Sequence, residues 1–113
     1  MKSIYHVTTR KAWEEACHKG SYEADSFKME GFIHCSILEQ VLRVANSFYL
    51  GQKDLVLLDI DPVNLLPDVR WEPGSDKPDE LFPHIYGPLN LDAVRKVLNL
   101  NEDPDGHFIL PLV

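Results

Sequence analysis

Cysteine is scarce: the chain holds two, Cys17 and Cys35, with no Cys-x-x-Cys spacing. A disulfide framework or a zinc knuckle is therefore not expected. Long apolar runs are missing too; nothing approaches the ~20 residues that a helix needs to cross a bilayer. Met1-Lys2-Ser3-Ile4-Tyr5 lacks the apolar stretch of a signal peptide and starts directly on a strand-like pattern. The expectation is a cytoplasmic location with no membrane association. Positive charge is outnumbered, 11 Lys and Arg against 18 Asp and Glu, for a net −7 with His neutral. Proteins that grip duplex nucleic acid through its phosphates show the reverse balance, so a duplex partner is not expected, though a local basic spot could still hold one phosphate. No G-x-G-x-x-G or Walker sequence occurs, and no internal repeat, linker or biased segment.

What remains is an ordinary globular composition, 44% hydrophobic and 26% charged over 113 residues. That length suits one domain spanning residues 1–113. Ser3 to Thr8 is β-branched and aromatic and predicts a strand. Ala12, Trp13, Ala16 and Cys17 fall at helical spacing over 10–19, and Gly20 sits where a left-handed residue stops a helix. Residues 20–30 are mixed and predict loop, with a short strand near Tyr22. Gly31 to Cys35 predicts a short strand. Ser36 and Glu39 have the spacing of a capping box, opening a helix with Ile37, Val41, Val44, Ala45 and Phe48 on one face and Gly51 at its end. Asp54 to Asp61 is nearly continuous apolar sequence, the pattern of a central strand covered on both faces. Val69 to Glu72 and Phe82 to Gly87 predict strands, separated by a polar loop from Pro73 to Asp79. Asn90 predicts the cap of a helix over 91–98, on Leu91, Val94, Val97 and Leu98, and 107–113 predicts a last strand. The order β-α-β-α-β-β-β-α-β is not a run of regular βαβ units, so the fold class is α+β.

Five histidines are many for this length. His6, His34 and His84 fall on strands beside turns or helix starts, where a sheet presents side chains to ligands. Each alone could be a satisfied core histidine; three together point to a site. Ser36 is a helix cap by position, and a helix start is also an anion site. Arg70 suits bidentate contact with a phosphate, or pairing with Asp68 or Glu72. Glu72 is a candidate general base. Asp59 and Asp61 fit a solvated strand end before Pro62. Cys35 points away from His34, since neighbours on a strand face opposite sides. His18 and His107 fit the surface.

Three segments together resemble a known family: Ile4-Tyr5-His6-Val7-Thr8, Gly31-Phe32-Ile33-His34-Cys35-Ser36, and Phe82-Pro83-His84-Ile85-Tyr86-Gly87-Pro88-Leu89. They are similar to the bacterial domain-of-unknown-function 952 family, over essentially the whole chain. That family is placed with the ADP-ribosyltransferase-like folds, which implies a split, bent sheet with flanking helices around an NAD-binding cleft. The resemblance implies that His6, followed by Thr8, holds a ribose. It puts His34 in the nicotinamide-stacking role with Ser36 beside it. Ala45 to Tyr49 resembles the helix that follows in poly(ADP-ribose) polymerases. Many such transferases carry a Glu on a late strand; here that place holds His84, followed by Tyr86. Members using His and Arg, such as tRNA 2′-phosphotransferases, act on a phosphate substrate with NAD, and Arg70 would supply the phosphate contact.

The expectation is therefore an NAD- or nucleotide-binding cleft, with NAD as substrate of an ADP-ribosyl or 2′-phosphate transferase-like enzyme or an NAD glycohydrolase. His34 and His84 are its catalytic candidates, and His6, Thr8, Ser36, Arg70 and Tyr86 its ligand-binding ones. Two alternatives stand beside it. One is a nucleotide-binding module without catalysis. The other is a metal hydrolase with His6, His34 and His84 as ligands and an open fourth position, although no His-x-His or His-Glu-x-x-His occurs.

Overall fold

The computed structural model of the chain describes residues 2–111. It is a mixed α+β fold with a curled antiparallel sheet and few helices. The first strand, β1, spans Ile4–Thr9 and feeds directly into α1, Arg10–Lys19. Thr9 caps that helix, its hydroxyl oxygen accepting the Ala12 N–H at 3.1 Å. Gly20 ends it at φ 100°, a left-handed conformation that costs glycine little. Next come β2 (Ser21–Tyr22), α2 (Asp25–Glu30), β3 (Ile33–His34) and α3 (Leu38–Phe48). They are followed by β4 (Leu55–Ile60), β5 (Asp68–Pro73), β6 (Leu81–Tyr86), β7 (Leu89–Asn90), β8 (Val94–Glu102) and β9 (Phe108–Ile109).

One antiparallel sheet runs β1-β4-β8-β9, a second runs β3-β6-β5, and β2 pairs with β7. Backbone bonds between Tyr5 and Ser36, both 2.8 Å, join the first sheet to the second. As its apolar run predicts, β4 is central and buried along its whole length. Val56, Leu58 and Ile60 enter a core with Ile4, Ile33, Ile85 and Leu89. Leu55 and Leu57 enter another with Val7, Val41, Ala45 and Phe108, closed by α3. Burying an aliphatic side chain of this kind contributes about 1.5–3 kcal/mol, so β4 anchors both sides.

Five expectations are corrected. Residues 91–98 are not a helix: a short 3-10 turn at Leu91–Ala93 leads into β8. Leu98 and Leu100 alternate with Asn99 and Asn101, and β4 offers a ladder from Leu55 to Ile60 that outweighs the helical spacing. Residues 20–30 are not all loop, for α2 lies within them, although β2 is where the short strand was expected. Ser36 is not the cap of α3. That role falls to Ile37, whose N–H is taken by the Gln40 side chain at 3.0 Å, while the backbone of Ser36 is committed to Tyr5. Asp59 is buried rather than solvated, with the Arg95 guanidinium 3.6 Å from Oδ1. Of the expected last strand only Phe108–Ile109 is a strand; Leu112 and Val113 lie outside the described residues. Among the described residues no helix is long and apolar enough to cross a membrane.

Candidate functional site

The second sheet carries the candidate chemistry on one face. Side chains two apart on a strand share a face. Phe32 therefore accompanies His34, His84 accompanies Tyr86, and Arg70 accompanies Glu72. The register brings these pairs side by side: His34 lies opposite His84, and His84 opposite Arg70. The other face, with Ile33, Ile85 and Val69, packs into the core. The alternation of polar and apolar residues on three strands thus sorts the site from the hydrophobic interior.

On that face His84 is held on three sides. Its ring stacks on Phe32 with centroids 4.2 Å apart and 20° between planes, and His34 meets it edge-on at 5.1 Å. Its Nδ1 lies 2.8 Å from Glu72 Oε1. A carboxylate only accepts, so Nδ1 carries the proton and, in the neutral ring, Nε2 presents its lone pair. Tyr86 donates its hydroxyl to the same Glu72 oxygen at 2.5 Å. These bonds, the tyrosine's first, hold the Glu72 carboxyl below its usual pKa range and raise the Tyr86 phenol. Among the described residues no donor reaches Glu72 Oε2 and no partner reaches His84 Nε2. Arg70 lays its guanidinium over the Tyr86 ring, 4.4 Å from the centroid, and makes no ion pair among the described residues.

His6 has a different environment. It is buried on β1, and both ring nitrogens are engaged. Nδ1 lies 2.6 Å from the His34 carbonyl oxygen, to which it must donate. Burial lowers the His6 pKa to about 4, so the ring is neutral and Nε2 accepts. The Tyr22 hydroxyl, 2.8 Å away, is its donor, and the Thr8 hydroxyl, 2.9 Å from Tyr22, donates in turn. Burial raises the Tyr22 phenol to about 12, which keeps its proton in place. His6 thus ties β1 to β2 and β3 and has no free nitrogen to offer a ribose or a metal. Among the described residues no three His, Cys, Asp or Glu side chains cluster as metal ligands.

Two clefts adjoin these groups. A polar one, of ≈380 Å³, is lined by Thr8, Lys19, Tyr22, Lys28 and Gln52. A more apolar one, of ≈320 Å³, is lined by Ser36, Phe48, Gly74, Phe82 and His84. His34, Val7 and Tyr49 line both. The exposed His34 ring also meets Glu30 of α2 at 2.8 Å. Each volume lies in the range of small-molecule sites. The Ser36 hydroxyl has no hydrogen-bond partner among the described residues. The structure therefore brings His34, His84, Tyr86 and Arg70 onto one face, sets Ser36 in the apolar cleft beside them, and leaves His6 and Thr8 in a separate buried relay. Sequence reasoning overlooked Phe32 and Tyr22. Phe32 is signalled by its two-residue spacing from His34; nothing local signals Tyr22.

Residues 7–97 match the family described as "Protein of unknown function (DUF952)", and the chain belongs to that family. The fold is similar to the crystal structure of protein CC0527 from Caulobacter crescentus. The two are 34% identical over 96% of this chain and 95% of that one, with a TM-score of 0.86. The solution NMR structure of the same protein is 34% identical over 95% and 91%, at 0.80. No curated protein matches.

Proposed function

We propose that this chain binds a nucleotide of the NAD type across the two clefts and acts on it as substrate, with a fold related to the ADP-ribosyltransferases and a place of work in the cytoplasm. One observation carries the reading. His34 lines both clefts and faces His84 at 5.1 Å, so a two-lobed ligand spanning them has its middle beside both imidazoles. The donor set fits such a ligand. Phe48, Phe82 and Tyr49 offer surfaces for a planar base in the apolar cleft. Lys19 and Lys28 offer donors in the polar one. Arg70, stacked and unpaired, suits a phosphate. Glu72 restores a carboxylate to the late-strand position where the sequence has His84, from the neighbouring strand β5 rather than from β6.

Chemistry at a ribose C1′ develops positive charge there. The His84 ring beside the reacting centre is held in place by Glu72 and Phe32, and such fixed neighbours avoid reorganisation. The test is melting temperature with and without NAD, ADP-ribose and nicotinamide at millimolar concentration. Ligand at about 100 times its Kd contributes about 2.7 kcal/mol, a rise of several degrees. A rise with NAD or ADP-ribose is expected. No rise with any of the three overturns the reading.

A further inference from the structure

We infer that the acceptor in this reaction is water or another small hydroxyl compound, activated by the Glu72–His84 pair, and not the side chain of a macromolecule. The inference rests on the proposed NAD-type substrate and specifies its other reactant. His84 is only 4% exposed, yet its Nε2 has no partner among the described residues and its ring lines the apolar cleft. An imidazole oriented by a carboxylate at Nδ1, with Nε2 open to a cavity, is the arrangement of a general base. Glu72 acts through His84 and is a positioning residue. Phe32 fixes the ring plane by stacking on it.

The segment between β5 and β6 borders the cleft. Its ends meet where the Gly74 N–H donates to the Glu80 carbonyl at 3.1 Å. The Glu80 carboxylate binds the Gln40 amide at 2.8 Å and the Arg43 guanidinium, both on α3, and Asp76 reaches Arg43 at 3.9 Å. Gly74, Ser75 and Asp76 line the apolar cleft. This strap ties the rim of the cleft to α3, beside a His84 that is itself buried, the setting we assign to a small acceptor.

The reaction balances. The C1′–nitrogen bond breaks and its electron pair leaves with nicotinamide. The water oxygen forms the new bond to C1′. Its proton passes to His84 Nε2 and then to solvent, and ADP-ribose is released.

The full chain is incubated with NAD, alone and with methanol or a histone as competing acceptors. Nicotinamide and ADP-ribosyl products are quantified. Expected are equal amounts of nicotinamide and free ADP-ribose, methyl ADP-riboside when methanol is present, and unchanged intact masses of the chain and the histone. Glu72→Gln is expected to slow nicotinamide release about a hundredfold and alter its pH profile, with the NAD-induced rise in melting temperature kept. ADP-ribose attached to the chain or the histone overturns the inference. So does NAD binding without nicotinamide release, or a Glu72→Gln variant as fast as the parent. Absence of any NAD-induced rise overturns the NAD reading itself, and is distinguished from the other failures by that measurement. Should Glu72→Gln not fold, the methanol partition in the unaltered chain decides.

Discussion

His6 and His84 are both buried histidines on strands, and their surroundings divide them. His6 has each nitrogen within 2.8 Å of a protein partner, in a relay that runs Thr8–Tyr22–His6–His34 carbonyl. His84 has one nitrogen bound, to Glu72, and the other without a partner among the described residues, and the residue lines a cleft. A histidine with both nitrogens engaged holds elements together; one held from behind with its front free is equipped to act on something else. Burial and residue type do not separate the two cases. The hydrogen-bond count on each ring does.

The largest effect expected from this contrast is on stability. His6→Ala leaves the Tyr22 hydroxyl and the His34 carbonyl without their partner and opens a void, a loss of about 3 kcal/mol. His84→Ala leaves Glu72 its Tyr86 bond and its access to water, a loss of about 1 kcal/mol. Urea denaturation compares them, and equal losses would break the distinction.

A comparable effect is expected from acid. The folded His6 pKa of about 4 lies below its ordinary value of 6.5. The unfolded chain therefore binds the proton first, and stability falls as pH drops from about 6.5 to about 4, by about 3 kcal/mol. Above 6.5 the ring is neutral in both states and contributes no slope. The lowered Glu72 carboxyl acts in the same direction at lower pH, since its contribution is present above the ordinary carboxylate range and is lost as pH falls through its folded pKa. A His6→Gln variant flattens the slope between 4 and 6.5; an unchanged slope there would assign it to other groups.

The smallest effect sharpens the description of the cleft. A Cβ on Gly74 would fall 2.4 Å from the Phe82 ring, which must then move. Gly74→Ala is expected to cost about 1–2 kcal/mol, through the displacement of that ring. It should also weaken NAD binding more than it weakens folding, if Phe82 shapes the apolar cleft. Titration of the variant by calorimetry reads this, and unchanged affinity would remove Phe82 from the binding surface.

The elements that could be read in advance are those whose own residues decide them. The apolar run of β4 and the stripe of Val41 and Ala45 on α3 are of this kind. The segment 91–98 misleads because Leu91, Val94, Val97 and Leu98 satisfy a helical period, and its strand form depends on pairing with β4, distant in sequence. The helix α2 buries none of its residues and begins at Ala24 without a side-chain cap, so it has neither the stripe nor the cap that announces a helix. The candidate site divides in the same way. Spacings of two place Arg70 with Glu72, and His84 with Tyr86, on common faces. That β5, β6 and β3 lie side by side is a property of the whole fold, and only that order turns three short stripes into one surface. Tyr22 joins His6 across the chain, with no local pattern to predict it.

The path of the chain between the two sheets has a kinetic consequence. It lays down β1 in the first sheet, crosses to β3 in the second, returns for β4, leaves again for β5 and β6, and comes back for β8 and β9. Neither sheet is a continuous stretch of sequence, and the first cannot be completed until β8 and β9, near the end of the described residues, have emerged. Tyr5 finds Asp59 only across more than fifty residues, and β4 finds β8 only when most of the chain is present. Such non-local pairing makes for a slow, all-at-once assembly, in which a truncated product has no half-protein to fall back on.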